Sequence, residues 1–189
     1  MKTTSNWVLV LTTLVAIVYV NLYAWQGQQI KTRGEILFLE LAPVDPLSLV
    51  QGQYMRLRFG IEKPYATTLE DQQVIQNSVG DVLGIIELDS NRVGTLSGLL
   101  GKTDSSRRHQ LRGDFLLLQV QAQLGESPRD SDTQQTYSIK IKQNSFLFQE
   151  NTEDRYTRAK HGMFRVHKDG RYVLVDLADE QLRPLSPQP

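Results

Sequence analysis

The stretch WVLVLTTLVAIVYVNLYAW, residues 7–25, contains 19 residues and no charged side chain. As an α-helix rising roughly 1.5 Å per residue it is about 28 Å long, close to the roughly 30 Å of a bilayer's hydrocarbon core. Trp7 stands at one end, and Tyr23 and Trp25 stand at the other, where interfacial aromatic residues are expected. The stretch therefore predicts a transmembrane helix.

Two other interpretations of this stretch fit less well. A cleaved signal peptide has a shorter apolar core and a small-x-small cleavage site, whereas Leu22 to Trp25 lacks a small residue at the first of those positions. A core helix is seldom apolar on every face.

The charges that flank the span predict its orientation. Lys2 and the free amino terminus favour a cytoplasmic N-terminus, while Lys31 and Arg33 after the span reduce the asymmetry. We expect a single-pass protein of a bacterial inner (cytoplasmic) membrane. Its parts are a cytoplasmic N-terminus, the span, a stalk and an extracytoplasmic domain, at residues 1–6, 7–25, 26–33 and 34–189.

Composition narrows the chemistry of the remainder. The chain has 21 basic and 21 acidic residues and no cysteine. Since Lys2 is the one charge in residues 1–30, the domain is charged like an ordinary soluble protein. The missing cysteines exclude disulfides, thiolate zinc sites and cysteine nucleophiles. Zero net charge gives no support for a nucleic-acid partner.

Short apolar or alternating runs separated by turn residues dominate the domain. They predict strands at 35–41, 54–59, 81–88, 92–99, 114–123, 136–142, 145–148, 163–167 and 171–176. Helices are predicted over 67–78, with Thr68 as its N-cap, and over 153–160. We expect a mainly β (α+β) domain with one or two short helices and no regular βαβ alternation.

The residues PVDPLSLVQGQYMRLRF, 43–59, combine turn chemistry with a strand. Asp45 stands between Pro43 and Pro46, where its carboxylate is suited to fixing a turn. Gly52 permits a positive φ or a close backbone approach before the strand. We interpret the motif as a rigid corner feeding a core strand, with a ligand or partner site as the alternative. Its apolar surface comes from Tyr54, Leu57 and Phe59.

This segment resembles the signature of the GDYXXLXY family of bacterial membrane-anchored proteins. It matches at Gly52, Tyr54 and Leu57, keeps an aromatic residue at Phe59, and has Gln53 where the signature has Asp. A second similar segment runs from Phe146 to Val175. The resemblance implies a single-span anchor and a β-rich domain, and it implies no activity. Because family members tend to accompany polytopic membrane proteins, it also implies an integral-membrane partner.

The segment that contains Phe146, Phe148, Glu150 and Tyr156 is the other candidate for a specific interaction, since it mixes aromatic and charged residues. Core packing is the competing interpretation for Phe146 and Phe148, because alternating aromatic residues on a strand are usually buried.

Catalytic equipment is sparse. A Ser48/Lys63 dyad needs a buried lysine, and Lys63 stands at a polar strand end. The three histidines, His109, His161 and His167, lack metal-ligand spacing. We therefore expect a non-enzymatic accessory protein with no catalytic, cofactor or metal site. The alternatives are a small-molecule binding module, its ligand unknown, and a membrane-tethered Ser/Lys hydrolase around Ser48.

Overall fold

The computed structural model describes residues 2–42, 50–51, 54–78, 81–104, 108–109, 111, 113–125, 135–149 and 152–187. Its helices are α1 (Lys2–Arg33), α2 (Leu69–Asn77) and α3 (Glu153–Tyr156), with a 3₁₀ turn at Gly60–Glu62. The strands are β1 (Glu35–Glu40), β2 (Val50–Gln51), β3 (Tyr54–Arg56), β4 (Tyr65–Ala66), β5 (Asp81–Leu88), β6 (Gly94–Leu100), β7 (Phe115–Leu124), β8 (Thr136–Lys140), β9 (Ser145–Leu147), β10 (His161–Val166) and β11 (Tyr172–Ala178).

The described strands form three antiparallel sheets. Their orders are β1-β10-β11, β2-β3-β9 and β4-β8-β7-β5-β6. A parallel bridge between Phe38 and Val93 connects the first sheet to the five-stranded one. The predicted β-rich class with few helices is confirmed.

Helix α1 continues without a break from the apolar stretch to the domain. Among the described residues it is the one helix long and apolar enough to cross a membrane, with a mean hydropathy of 2.0 over an 18-residue window that is not buried in the protein. Only Gly34 separates α1 from β1. A Cβ at Gly34 would lie 2.5 Å from the carbonyl oxygen of Ile30, so the junction is too tight for a side chain.

The five-stranded sheet is buried on both faces. Val82 and Ile86 of β5 pack in the main core, while Leu83 and Ile85 pack in a smaller cluster with Leu117. Two-sided burial explains why the DVLGIIEL and FLLL runs are nearly continuous in apolar residues rather than alternating. The main core also takes large, fully buried side chains from the other sheets and from β8: Leu37, Leu39, Phe59, Ile139, Phe164 and Leu177.

Two predicted elements end three or more residues before their sequence patterns do. The strand predicted over 54–59 forms a ladder with β9 as far as Arg56, and the Leu57 N–H still donates to the Asn144 carbonyl; Phe59 bridges instead to Leu41 at the end of β1. The helix predicted over 153–160 ends at Tyr156, and the Lys160 N–H donates to Ala178 at the end of β11. At Lys160 a tertiary hydrogen bond replaces the helical one, whereas the signature segment changes its partner from β9 to the end of β1.

The predicted cap of α2 is present. Thr68 Oγ1 accepts from the Asp71 N–H at 3.1 Å, and the Asp71 carboxylate accepts from the Thr68 N–H at 3.2 Å. Asp71 is buried and also accepts from the Leu99 N–H, which ties the helix to β6.

Thr68→Ala should therefore lower the free energy of unfolding by about 1 kcal/mol, because the first turn of α2 loses its side-chain acceptor. Urea denaturation of the full chain measures the loss. Thr68→Ser keeps the hydroxyl and serves as the control; equal losses in the two variants would contradict the capping role.

Candidate functional site

The two candidate interaction segments, the signature strand and the aromatic segment, are neighbours in space. β3 pairs with β9, so that Tyr54 lies opposite Leu147 and Met55 lies opposite Phe146. The signature strand and the aromatic segment, about 90 residues apart in sequence, therefore form one surface.

Burial alternates along the signature strand and its extension. Met55, Leu57 and Phe59 are buried, whereas Tyr54 is 40% exposed. The Phe59 ring meets Phe164 edge-on with 5.3 Å between ring centroids. This is the two-faced pattern that the sequence predicts, and it assigns Leu57 and Phe59 to the core.

Gly162 provides the space that Phe59 occupies. A Cβ at this position would lie 2.8 Å from Phe59 Cε1 and 3.0 Å from Phe164 Cε2. These distances are too short for carbon contacts, so the glycine is required by close packing against the two rings.

Glu62 holds the end of this segment against β8. Its Oε2 accepts from the Phe59 N–H at 2.9 Å, and its Oε1 accepts from the Ile141 N–H at 2.8 Å. Hydrogen bonds to a charged acceptor are stronger than neutral ones. Local sequence patterns do not reveal this role of Glu62, because its partner Ile141 is 79 positions away.

Tyr156 is the centre of an aromatic cluster. Its ring centroid lies 5.2 Å from that of Phe146 and 5.6 Å from that of Phe148. Phe148 and Tyr156 are buried and Phe146 is half-buried. Aromatic pairs at these distances contribute roughly 0.5–1.5 kcal/mol beyond area burial.

A hydrogen-bond chain runs from this cluster to the C-terminal segment. The Tyr156 hydroxyl is 3.3 Å from Ser186 Oγ, which donates to Asp176 Oδ1 at 2.8 Å. The Asp176 carboxylate is buried and also accepts from the Leu177 N–H at 2.7 Å. The chain fixes the C-terminal segment over α3. The sequence signal for this chain of hydrogen bonds is Asp176, an acidic residue within the otherwise apolar VLVDLA strand.

An exposed apolar pair lies beside the cluster. Leu147 is 74% exposed and faces Tyr54 directly across the two strands. We call these two residues the Tyr54–Leu147 patch. Outside α1, Leu69 at the start of α2 is the other large apolar side chain that is exposed in the described part of the chain.

A cleft of about 380 Å³ opens next to the patch. This volume falls within the roughly 300–1,000 Å³ of small-molecule sites. Arg155 is the charged member of the lining, and Tyr156 and Ser186 supply hydroxyl groups. The lining residues are Leu147, Phe148, Gln149, Thr152, Arg155, Tyr156, Ser186 and Pro187.

The patch and the cleft lie at the end of the domain remote from α1. Strand β1 begins at Glu35, directly after the helix, and Leu41 at its other end bridges to Phe59. Six residues of strand span about 20 Å. Because the signature segment is antiparallel to β1 at this bridge, the residues that precede Phe59, back to Tyr54, lie still farther from α1.

Several predicted residues fall outside the described parts of the chain. These are Pro43, Asp45, Pro46, Ser48, Gly52 and Glu150. Of the remaining predicted site residues, the structure brings Phe146, Phe148 and Tyr156 together and places Leu57 and Phe59 in the core. Tyr54 lies on the exposed face of the same strand pair, opposite Leu147.

His161 and His167 are engaged separately. His161 Nδ1 is 3.2 Å from the Asp179 carbonyl oxygen, and His167 Nδ1 is 2.8 Å from Asp169 Oδ1. Within the described ranges, no group of three or more His, Asp or Glu side chains is placed to hold a metal ion.

Comparison with known proteins gives one match. The family model described as GDYXXLXY protein matches residues 16–177, which include both paired segments and the end of the apolar helix. No curated protein and no solved structure matches the chain. The chain belongs to the GDYXXLXY protein family.

Proposed function

We propose that this protein is a single-pass accessory protein of a bacterial cytoplasmic membrane, without an enzymatic activity of its own. Its N-terminus lies inside and its extracytoplasmic β-rich domain docks on an integral-membrane partner. The observation that carries the proposal is the junction between α1 and the domain, where Gly34 alone separates the helix from β1.

The junction is held by packing and hydrogen bonds. Ile30 on α1 is only 6% exposed, although the described side chains from Trp7 to Leu22 are all exposed. The Gly34 N–H donates to the Ile30 carbonyl at 2.9 Å, and Arg165 Nη1 donates to the Gly34 carbonyl at 3.0 Å. A domain held in one orientation relative to its anchor loses less orientational freedom when it binds a neighbour in the same membrane.

The Tyr54–Leu147 patch is the surface that we assign to docking. Tyrosine is enriched at protein interfaces, and an exposed leucine beside it adds apolar contact area. Arg56 and Arg58 are exposed on the same face of the signature segment as Tyr54. A complementary partner segment therefore carries an apolar anchor flanked by acidic residues. Because the patch lies about 20 Å beyond the end of α1, and residues 26–33 extend α1 about 12 Å past the span, this segment must project about 30 Å beyond the bilayer.

Site-specific photocrosslinking in intact membranes tests the docking. We expect a photoreactive residue at position 147 to form an adduct with an integral-membrane protein. The same residue at position 69 is the matched control, since Leu69 is an equally exposed leucine on a different element. Adducts of equal yield at both positions, or none at 147, would contradict the assignment.

A second candidate function is supported by the cleft beside the patch. Its volume of about 380 Å³ and its pairing of Arg155 with aromatic walls suit a small anionic ligand with an apolar part. Screening such ligands by thermal shift tests it. A stabilising ligand should lose its effect in Arg155→Gln and retain it in Arg158→Gln, a neighbouring exposed arginine outside the lining.

A further inference from the structure

A second groove lies where α1 meets the domain. It has a volume of about 300 Å³, and we call it the juxtamembrane groove. One wall is the last part of α1 and the other is the turn between β10 and β11. Its lining residues are Trp25, Gln29, Ile30, Arg33, His167 and Arg171.

The helical wall is a single row of side chains. Trp25, Gln29 and Arg33 are spaced four residues apart and so lie on one face of α1. The row covers about 12 Å of the helix axis. Because helical side chains tilt toward the N-terminus of their helix, Arg33 leans toward the apolar stretch and the bilayer. Trp25 is 60% exposed at the end of that stretch, where an interfacial tryptophan is expected.

The hairpin wall is ordered by Asp169. Its carboxylate accepts from Arg171 Nε at 2.7 Å, and it lies 2.8 Å from His167 Nδ1. Burial acts to raise the pKa of Asp169, but the hydrogen bonds from Arg171 and His167 outweigh it and lower the pKa. The carboxylate therefore stays ionised and keeps the Arg171 guanidinium in place beside the groove.

The surroundings of the groove are net positive. Asp169 is the acidic group of the turn, and Glu35 is engaged by Arg92 at 2.7 Å. Arg33 faces the groove from the last turn of α1 and Arg171 faces it from the hairpin, so the cationic side chains in the lining outnumber the one carboxylate of Asp169.

We infer that the juxtamembrane groove binds the phosphate-bearing headgroup of an anionic phospholipid. The inference rests on the proposed membrane anchorage through α1. Arg33 and Arg171 face the groove from opposite walls, and guanidinium groups bind phosphate oxygens in a bidentate manner. Trp25 lies against the glycerol region of the lipid. Gln29 lies between Trp25 and Arg33 on the helix, so its amide is suited to the ester oxygens between the glycerol and the phosphate.

The two tryptophans, Trp7 and Trp25, allow a direct test. In Trp7→Phe, Trp25 is the sole tryptophan, and its fluorescence is quenched by brominated lipid bound next to it. The full chain is reconstituted in vesicles containing brominated phosphatidylglycerol or brominated phosphatidylcholine at the same mole fraction. We expect about 25-fold preferential association of phosphatidylglycerol, since Arg33 and Arg171 each contribute about fivefold near an anionic headgroup.

Variants connect this preference to the groove. Arg33→Gln and Arg171→Gln should each reduce it about fivefold. Arg158→Gln, an exposed arginine at the opposite end of the domain, should leave it unchanged. Equal quenching by the two lipids, or equal losses in all three variants, would overturn the inference.

Two further arms separate the possible failures. Quenching of Trp7 by brominated phosphatidylcholine in Trp25→Phe reports insertion of α1. If it is absent, the anchorage fails and the lipid site fails with it; if it is present without a phosphatidylglycerol preference, only the lipid site fails. Inorganic phosphate at constant ionic strength should not abolish the preference. Its loss would assign the groove to free phosphate and overturn the lipid assignment.

Discussion

Phe59→Ala should lower the free energy of unfolding by about 3–5 kcal/mol. The Phe59 side chain, at the end of the signature segment, is only 1% exposed and packs edge-on against the Phe164 ring. Its removal forfeits apolar burial and leaves a cavity next to Gly162, which has no side chain to fill it.

Chemical denaturation of the full chain measures this loss. Tyr54→Ala is the matched control, because it removes an aromatic residue from the same segment at an exposed position. We expect the control to change stability by less than about 1 kcal/mol. A loss of less than about 1 kcal/mol for Phe59→Ala as well would contradict a core role for the end of the signature segment.

Stability should fall steeply between pH 10 and pH 12. Burial raises the pKa of Tyr137 to about 12, and the Asp71 carboxylate and Tyr65 add to the effect. Burial likewise raises the pKa of Tyr172 to about 12; the Lys142 N–H, which donates to its hydroxyl, opposes the shift, and Asp81 and Glu62 favour it.

The direction of this pH dependence follows from the two states of the protein. In the unfolded chain these phenols lose their protons near pH 10, whereas in the folded chain they keep them until about pH 12. Each tyrosine therefore removes about 1.4 kcal/mol of stability per pH unit in this window. The two together remove about 5 kcal/mol across it.

Absorbance at 295 nm and denaturation at a series of pH values measure the effect. Two of the seven tyrosines should titrate near pH 12 in the folded protein. Tyr137→Phe and Tyr172→Phe should each halve the alkaline loss of stability. Titration of all phenols near pH 10 in the native state would be inconsistent with the packing of these two residues.

Local patterns were sufficient to predict most elements. The DVLGIIEL run predicts β5 with its observed bounds, and the Asp-Gly pair at 169–170 predicts the last hairpin, in which Gly170 has a φ of 89°. Both are determined by nearby residues: one by its apolar content, the other by the positive φ that glycine accommodates.

Local sequence patterns could not predict which strands pair with each other. β3 and β9 come together because Met55 and Phe146 share a core, and neither strand is long enough to specify its register alone. The two-residue strands β2 and β4 have no period to recognise. Sequence patterns therefore identified the aromatic segment as a candidate interaction site. Its pairing with the signature strand depends on the tertiary structure and is visible only there.

The same distinction applies to the site residues that sequence reasoning missed. Arg33 and Arg171 are 138 positions apart in the chain, and the groove between them exists because α1 packs on the β10–β11 hairpin. Asp176 and Ser186 are closer in sequence, but their hydrogen bond depends on the C-terminal segment folding back over β11. In each case the chemistry depends on packing that no single segment encodes.

The most direct test of the account is the accessibility of single cysteines on the two sides of the membrane. The natural chain contains no cysteine, so Thr4→Cys and Leu69→Cys each carry one reactive thiol. In intact spheroplasts, a membrane-impermeant maleimide should label position 69 fully and position 4 only after permeabilisation. Labelling of position 4 with protection of position 69, or release of the protein from membranes by alkaline carbonate, would contradict a transmembrane α1 that holds the domain outside.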